Sequence, residues 1–460
     1  MRKIDLTSKG KGINARRWDV VVLGSARPGL FAAARFTTLG FRVLVLEEKT
    51  PATDDVLIQE PFFFGSPNGS PLDKALTACG IGRLERRGLE NTELTYQVLT
   101  EKVRIDVGKP MRCASDWVAY GISERGESED LVRELDIAGR AEAEALTTQN
   151  IVRSARRGTS SRFKPSTGIR GLPSTVRNVG AELERFFQAQ LEIFATDPAT
   201  LAPEIKSRIL GRALSTGGYF NTPGVSLVEM VRKRISKVLG EFREAKGPFE
   251  LVSAAGHPGI LLKERDEALM GRVLLINTPA GHLGRCLKEW DLPVPKGLVE
   301  KPLPDFRYHT LYFHVPKEKI PEALHPRAIL DSRRLPRAVA ISAFPSKKND
   351  KYVNLTAQLL TRMDTDAQNI SVVVEEEIQR FFSFSSRYLE SVGHTTQNAW
   401  DRPFDIETQR NQQNWPNPIQ IRVQRRQPIY ALPTHGLDGL GAEGEAVLGW
   451  RAAEVIAPRP

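Results

Sequence analysis

A chain of 460 residues with a formal net charge of +10 has length for two or three structural units, and its apolar, glycine and proline content is that of a globular protein. Its three cysteines, Cys79, Cys113 and Cys286, are far apart and lack metal-ligand spacing, which excludes a disulfide framework and a zinc module and reads as reduced thiols. No apolar run reaches the roughly 18–20 residues of a membrane span, and the positive charge comes without a zinc-finger pattern, an RNP motif or a long Lys/Arg block, so nucleic acid is not an expected partner.

The N-terminal residues MRKIDLTSKGKGINARRW are basic, but no apolar stretch follows them. They read as a disordered lead-in, residues 1–17, and not as a secretory signal. Residues 18–49 then read as strand, tight turn, helix, strand. Asp19 to Leu23 is a short β-branched run, Leu30 to Leu39 an alanine-rich helix ended by Gly40, and Arg42 to Leu46 a second buried strand.

The turn GSARPG, Gly24 to Gly29, has the layout of a dinucleotide-binding loop. Gly24 supplies the sharp turn after the strand, and Gly29 allows close packing of helix on strand. Ala26 stands where a glycine would let the backbone approach a pyrophosphate, and its Cβ is tolerated if φ stays negative. Ser25 lies in the same loop. Arg27 places a cation beside the phosphates, and Pro28 suits the first helical turn, where its missing N–H costs nothing. Glu47 and Glu48 close the second strand about 20 residues on, where an acid accepts hydrogen bonds from a ribose. The alternative is a plain structural turn and a solvated strand end.

Residues 50–180 read as less regular, with a helix from about Pro71 to Cys79 and an Arg-, Ser- and Gly-rich surface loop at 153–177. Two amphipathic helices follow. One carries Leu183, Phe186, Phe187, Leu191 and Phe194. The other carries Leu227, Val228, Val231, Ile235, Val238 and Leu239, with Arg232, Lys233, Arg234 and Lys237 between them. Strands return in FELVSAA, GILLKE and GRVLLINTP, and an antiparallel sheet is expected from RYHTLYFHV, RAVAISAF and YVNLTAQLL. The segment SVVVEEEIQRFFSFSSRYLESV reads as a helix or helix pair. The chain closes with a strand, IYALP, a glycine-rich loop and a helix.

Two segments resemble FAD-dependent oxidoreductases of the phytoene desaturase and flavin amine oxidase type. They are DVVVLGSARPGLFAAARFTTLGFRVLVLEEK at the N-terminus and GLDGLGAEGEAVLGWRAAEVI at the C-terminus, and GRVLLINTPAGHLGRCL looks like the return to the first domain. The resemblance implies an α/β fold: a Rossmann-like FAD/NAD(P)-binding domain with an inserted α+β substrate domain on an antiparallel sheet. The expected division is FAD-binding segments at 18–80, 221–290 and 416–460. A helical, loop-rich substrate region fills 81–220, and an antiparallel sheet plus helix fills 291–415. FAD is the implied cofactor, held by Gly24, Ser25, Ala26, Arg27, Gly29, Glu47 and Glu48 and by Gly439, Gly441, Ala442 and Glu443. Backbone amides at the start of the closing helix would stabilise charge gained on the flavin.

The sequence departs from the family in three places: Ala26 for the middle glycine, TPATDDVLIQEPFFFG where an arginine- and glycine-bearing box would follow the ribose acid, and Leu432–Pro433 where an acid would precede the closing loop. The resemblance implies hydride removal from a small apolar substrate, isoprenoid or carotenoid-like. No metal or catalytic triad is visible. Of the seven histidines, His282 and His435 lie near the cofactor segments, and His435 is the better acid–base candidate. The chain is expected in the cytoplasm. Residues 153–177 and Arg232 to Lys237 offer a peripheral contact with anionic membrane headgroups, against the simpler account of a solvated loop and helix. Two other readings stand beside the enzyme: a degenerate, non-catalytic member serving as an interaction protein, and an NAD(P)-binding protein using the same turn.

Overall fold

The computed structural model describes residues 1–4, 13–48, 69–87, 89–92, 94–148, 151–153, 179–194, 198–200, 203–214, 217–220, 227–245, 248–278, 287–294, 306–346, 349–382, 386–398, 419–424, 427–433 and 441–457. Five strands form a parallel core sheet in the order Ile429–Pro433, Glu267–Thr278, Asn14–Leu23, Val43–Glu48 and Gly240–Ala245. The βαβ unit read from the sequence is its centre: Asn14–Leu23, helix Arg27–Thr38 and Val43–Glu48, with Val20 opposite Val43. Val20 to Leu23 and Val43 to Leu46 are buried throughout, as expected of parallel strands covered on both faces.

Strand Glu267–Thr278 does two jobs along its length. Its first half pairs with His257–Leu262 in an antiparallel meander, and its last five residues pair in parallel with Ile429–Pro433. One face of the sheet is covered by helices Arg27–Thr38, Pro71–Ala78, Leu227–Lys237 and Gly441–Ile456. Leu251, Ile260, Leu262 and Leu269 of the meander pack with the other face.

A second sheet has seven strands, in the order Glu390–Asn398, Phe306–Pro316, Tyr352–Arg362, Val339–Pro345, Arg327–Leu330, Leu94–Leu99 and Arg104–Gly108. It is antiparallel except where Arg327–Leu330 runs parallel to Leu94–Leu99. Helix Ala367–Phe381 packs Ile370, Val374 and Ile378 on one face. Four helices cover the other: Pro110–Ala119, Arg125–Thr148, Ala181–Phe194 and Pro203–Leu214.

The structure departs from the sequence reading in four ways. Within residues 1–17, read as a disordered lead-in, Arg2–Lys3 is a strand parallel to Phe249–Ala254, and Asn14 to Arg17 begin strand Asn14–Leu23. Residues 94–99 and 104–108 are strands of this sheet, so residues from the 81–220 and 291–415 segments share one hydrogen-bonded layer. Arg125–Thr148 is a 24-residue helix inside a region read as irregular. Its seam against Pro203–Leu214 needs two glycines: a Cβ on Gly139 would lie 2.3 Å from Gly211 O, and one on Gly211 would lie 2.0 Å from Leu135 O. Glycine in a helix lowers its intrinsic propensity, which hid the helix. Finally, SVVVEEEIQRFFSFSSRYLESV is helical only to Phe381. A short turn Ser386–Tyr388 follows, and an edge strand begins at Glu390.

Candidate functional site

The parallel strands end together at Leu23, Glu48, Thr278 and Pro433, the edge at which open α/β sheets take ligands. The GSARPG turn sits there. Gly24 has φ +99°, its N–H donates to Leu46 O at 2.8 Å, and a Cβ on it would lie 1.9 Å from Asn277 O. Only glycine fits. Ala26 is the residue before the helix, with φ −66° and ψ 160°, so its Cβ stands in ordinary extended backbone. No side chain caps the helix there.

Gly29 is held by a residue that sequence reasoning missed. Its N–H donates to Asn277 Oδ1 at 3.1 Å, and Asn277 Nδ2 donates to Leu432 O at 3.1 Å. One buried amide thus ties the helix start to the ends of two strands. A Cβ on Gly29 would lie 2.3 Å from Asn277 Oδ1. The available signal was an amide side chain near the end of the apolar run GRVLLINT.

The closing helix Gly441–Ile456 runs parallel to Arg27–Thr38. Arg27 Nη1 meets Glu445 Oε2 at 2.8 Å, Gly449 lies against Pro28, and Arg35 Nη2 meets Glu454 Oε1 at 3.2 Å. The contacts advance along both helices in the same sense. Two helix N-termini therefore lie side by side at the carboxyl edge of the sheet, and their macrodipoles add where an anion would sit.

The charged candidates are placed differently from expectation. Arg27, expected beside phosphates, has its guanidinium on Glu445. Both oxygens of Glu47 are taken by Arg232, Oε2 at 3.0 Å from Nη2, and Ser25 adds a hydrogen bond. Burial alone would raise the Glu47 carboxyl, but the hydrogen bonds and charge of Arg232, with Ser25, outweigh it and hold it below the usual carboxylate range. Arg232 also lies 4.3 Å above the Phe242 ring.

Glu443 is turned away from the edge. It is fully buried, pairs with Arg212 and accepts the Leu72 N–H at 3.3 Å. Burial pushes its carboxyl up, against the charge and hydrogen bond of Arg212. Ala442 is buried as well, so only backbone groups of Gly441 to Glu443 face the helix end. Glu48 pairs in register with Ala245. Gly439, His435, His282 and Cys286 lie outside the described residues, as does the basic loop from 154 onward. In the helix expected to meet headgroups, Arg232 holds Glu47, Lys237 pairs with Glu85 at 3.3 Å, and Arg234 lies against Gly80. Among the described residues, no helix is long and apolar enough to cross a membrane.

No family model matches the chain, and no curated protein does. Solved structures do. Putrescine oxidase bound to putrescine covers 97% of this chain and 100% of its own, at 13% identity and TM-score 0.59. An oxidoreductase from Methanosarcina mazei covers 95% and 100%, at 12% and 0.58. Cyclohexylamine oxidase from Brevibacterium oxydans covers 96% and 98%, at 11% and 0.56. These overlays identify the architecture: the chain has the fold of putrescine oxidase and cyclohexylamine oxidase, a Rossmann-like parallel-sheet domain joined to a second domain built on the seven-stranded sheet.

Proposed function

We propose that the chain is an FAD-dependent oxidoreductase that removes hydride from an apolar, isoprenoid- or polyene-like substrate. The observation that carries the cofactor reading is the pair of parallel helix N-termini at the carboxyl edge, preceded by Gly24 at φ +99°. A pyrophosphate needs amide donors and a backbone that can come close, and both are there. Ala26 does not block it, because its φ is negative.

The residues divide the work by position. Backbone amides of Ser25 to Arg27 would hold the phosphates, and Glu47 would meet the ribose by sharing its carboxylate between that sugar and Arg232. First-turn amides of the closing helix would offer hydrogen bonds to negative charge at the reactive ring. FAD, when bound, supplies the hydride acceptor, while the protein orients the substrate and excludes water. The apolar substrate class rests on the resemblance to phytoene desaturases. The structural neighbours bear the names of amine substrates, so both classes belong in the assay.

One observation favours a second reading, an interaction protein that keeps the fold without the flavin. Both charged side chains expected to face a nucleotide, Arg27 and Glu47, are held by protein partners. An absorption spectrum of the purified protein separates the two, followed by heat release and chromatography of any nucleotide. Flavin bands and released FAD are expected, and an isoprenoid polyene should bleach the flavin anaerobically where putrescine and cyclohexylamine do not. A colourless protein that takes up no added FAD overturns the flavoenzyme reading. Bleaching by amines alone overturns the substrate class.

A further inference from the structure

Toward the other edge of the core sheet, where strand Val43–Glu48 begins, four segments line a half-open cavity of about 440 Å³. That falls within the roughly 300–1,000 Å³ of small-molecule sites. The segments are the middle of strand Asn14–Leu23, the residue before strand Val43–Glu48, the middle of strand Glu267–Thr278 and the tip of the hairpin Phe249–Ala254/His257–Leu262. The tip is a two-residue turn with positive φ at both Ala255 (48°) and Gly256 (81°). Hairpins use such turns because they match the strand twist, so the wall carrying Ala254 and His257 is fixed by backbone geometry.

The lining has two characters. Ala254 and Met270 are buried in one apolar cluster and give an apolar floor, while Trp18 packs in another, its indole N–H on Glu241 at 3.3 Å, and Arg17, Arg42, Arg272 and His257 are exposed at the rim. Among the described residues, Asp19 is the one acid in the lining. It accepts the Arg42 backbone N–H at 2.9 Å and lies 3.5 Å from Arg272 as its cross-strand neighbour. Three arginines thus line the cavity with one carboxylate, which Arg272 already pairs. Among the described residues, the guanidiniums of Arg17 and Arg42 have no acceptor or ion-pair partner. Guanidinium forks match phosphate oxygens, and cations converging from separate strands on an apolar floor suit a dianion with an apolar body.

We propose that this cavity binds a small organic phosphate, its phosphate at Arg17, Arg42 and Arg272 and its apolar body on Ala254 and Met270. The site lies toward the opposite edge from the GSARPG turn and is independent of the flavin reading. Nothing in the flavin site requires three cations there.

The test is calorimetric titration of the full chain with naphthyl phosphate, naphthol and inorganic phosphate. Naphthyl phosphate is expected to bind with one-to-one stoichiometry, at least about tenfold more tightly than either half, and more weakly as salt rises. The double variant Arg17→Ala/Arg42→Ala should weaken it by about tenfold or more without moving the thermal midpoint, whereas Ala26→Asp should leave it unchanged. Should the double variant fail to fold, Arg17→Gln alone is expected to lose affinity several-fold. Absence of binding overturns the proposal, as does equal binding by the rim variants. Loss of binding in Ala26→Asp also overturns it, because that places the anion at the helix N-termini.

Discussion

Gly449 tests the contact that brings the two helix N-termini together. It lies inside the closing helix, and a Cβ there would sit 2.2 Å from Pro28 O and 2.8 Å from Phe31 Cβ. Two effects oppose each other in Gly449→Ala. Considered alone, the helix gains about 1 kcal/mol, because glycine is the poorer helix former. In the packed pair, the obstacle is a backbone carbonyl that cannot rotate aside, so the helices must separate by about 1 Å to reach a tolerable contact. Overpacking of that kind costs about 1–3 kcal/mol, and the upper half applies because the neighbouring Ala32, Ala446 and Ala453 are fully buried. The net expectation is a loss of about 1–2 kcal/mol, a few degrees in thermal midpoint. Flavin retention should fall with it, because the amides at the two helix starts no longer converge. Circular dichroism melting of both proteins, with flavin content measured on the same preparations, checks this. A midpoint that rises in Gly449→Ala would refute the reasoning, because the propensity gain could win only if the helices were not in contact.

Ala26→Gly should leave flavin occupancy equal or higher, and Ala26→Asp should lower it by setting an anion against the pyrophosphate; full flavin in Ala26→Asp would mean the phosphate loop is elsewhere. Glu47→Ala should weaken FAD retention in dialysis, and unchanged retention would leave Glu47 as a partner of Arg232 alone. Arg212→Met strips the cation from the buried Glu443 carboxylate and should cost about 3–5 kcal/mol in urea unfolding, with Arg212→Met/Glu443→Gln recovering much of it; no recovery in the double variant would show that the loss does not come from an unpaired Glu443 carboxylate. His309 is fully buried and shares a hydrogen bond with Ser371 Oγ at 2.7 Å. Burial, then the neighbouring His394 and Arg307, pushes its pKa down to about 4 from 6.5. Between those values the unfolded chain binds a proton that the folded chain does not, so stability is present above pH 6.5 and is lost as pH falls toward 4, at up to about 1.4 kcal/mol per pH unit. His309→Gln should flatten that slope in urea midpoints taken across this window, and an unchanged slope would remove His309 as its source.

The local parts of the candidate site were legible in the chain order. A β-branched run, a glycine that must turn, a proline in the first helical turn and an alanine-rich stretch specify strand, turn and helix through short-range sterics and periodicity, and the structure places all of them within residues 14–48. The pairing of IYALP with GRVLLINTP was not readable from either segment, although each was readable as a strand. Parallel strands need long connections, and nothing in a five-residue run names its neighbour. Asn277 shows the same limit from the other side. A single amide closing an apolar strand carries no pattern, yet it joins Gly29 to Leu432.

Charge partners were decided only in three dimensions. The sequence reads Arg27 and Glu47 as groups awaiting a nucleotide, from Arg27's place in the turn and Glu47's place at the strand end about 20 residues on. Arg232 stands 185 positions from Glu47 along the chain, and Glu445 stands 418 from Arg27. Helices folded back onto the sheet bring them within hydrogen-bond reach. What the sequence determined by itself is the backbone of the GSARPG turn and of its βαβ unit, because those follow from the conformational limits of adjacent residues. What only the tertiary structure decided is which side chains face a ligand and which are satisfied within the protein, along with the basic cavity toward the far edge. A buried ion pair or a cavity wall is made by segments hundreds of residues apart, whose meeting is set by the packing of the whole sheet.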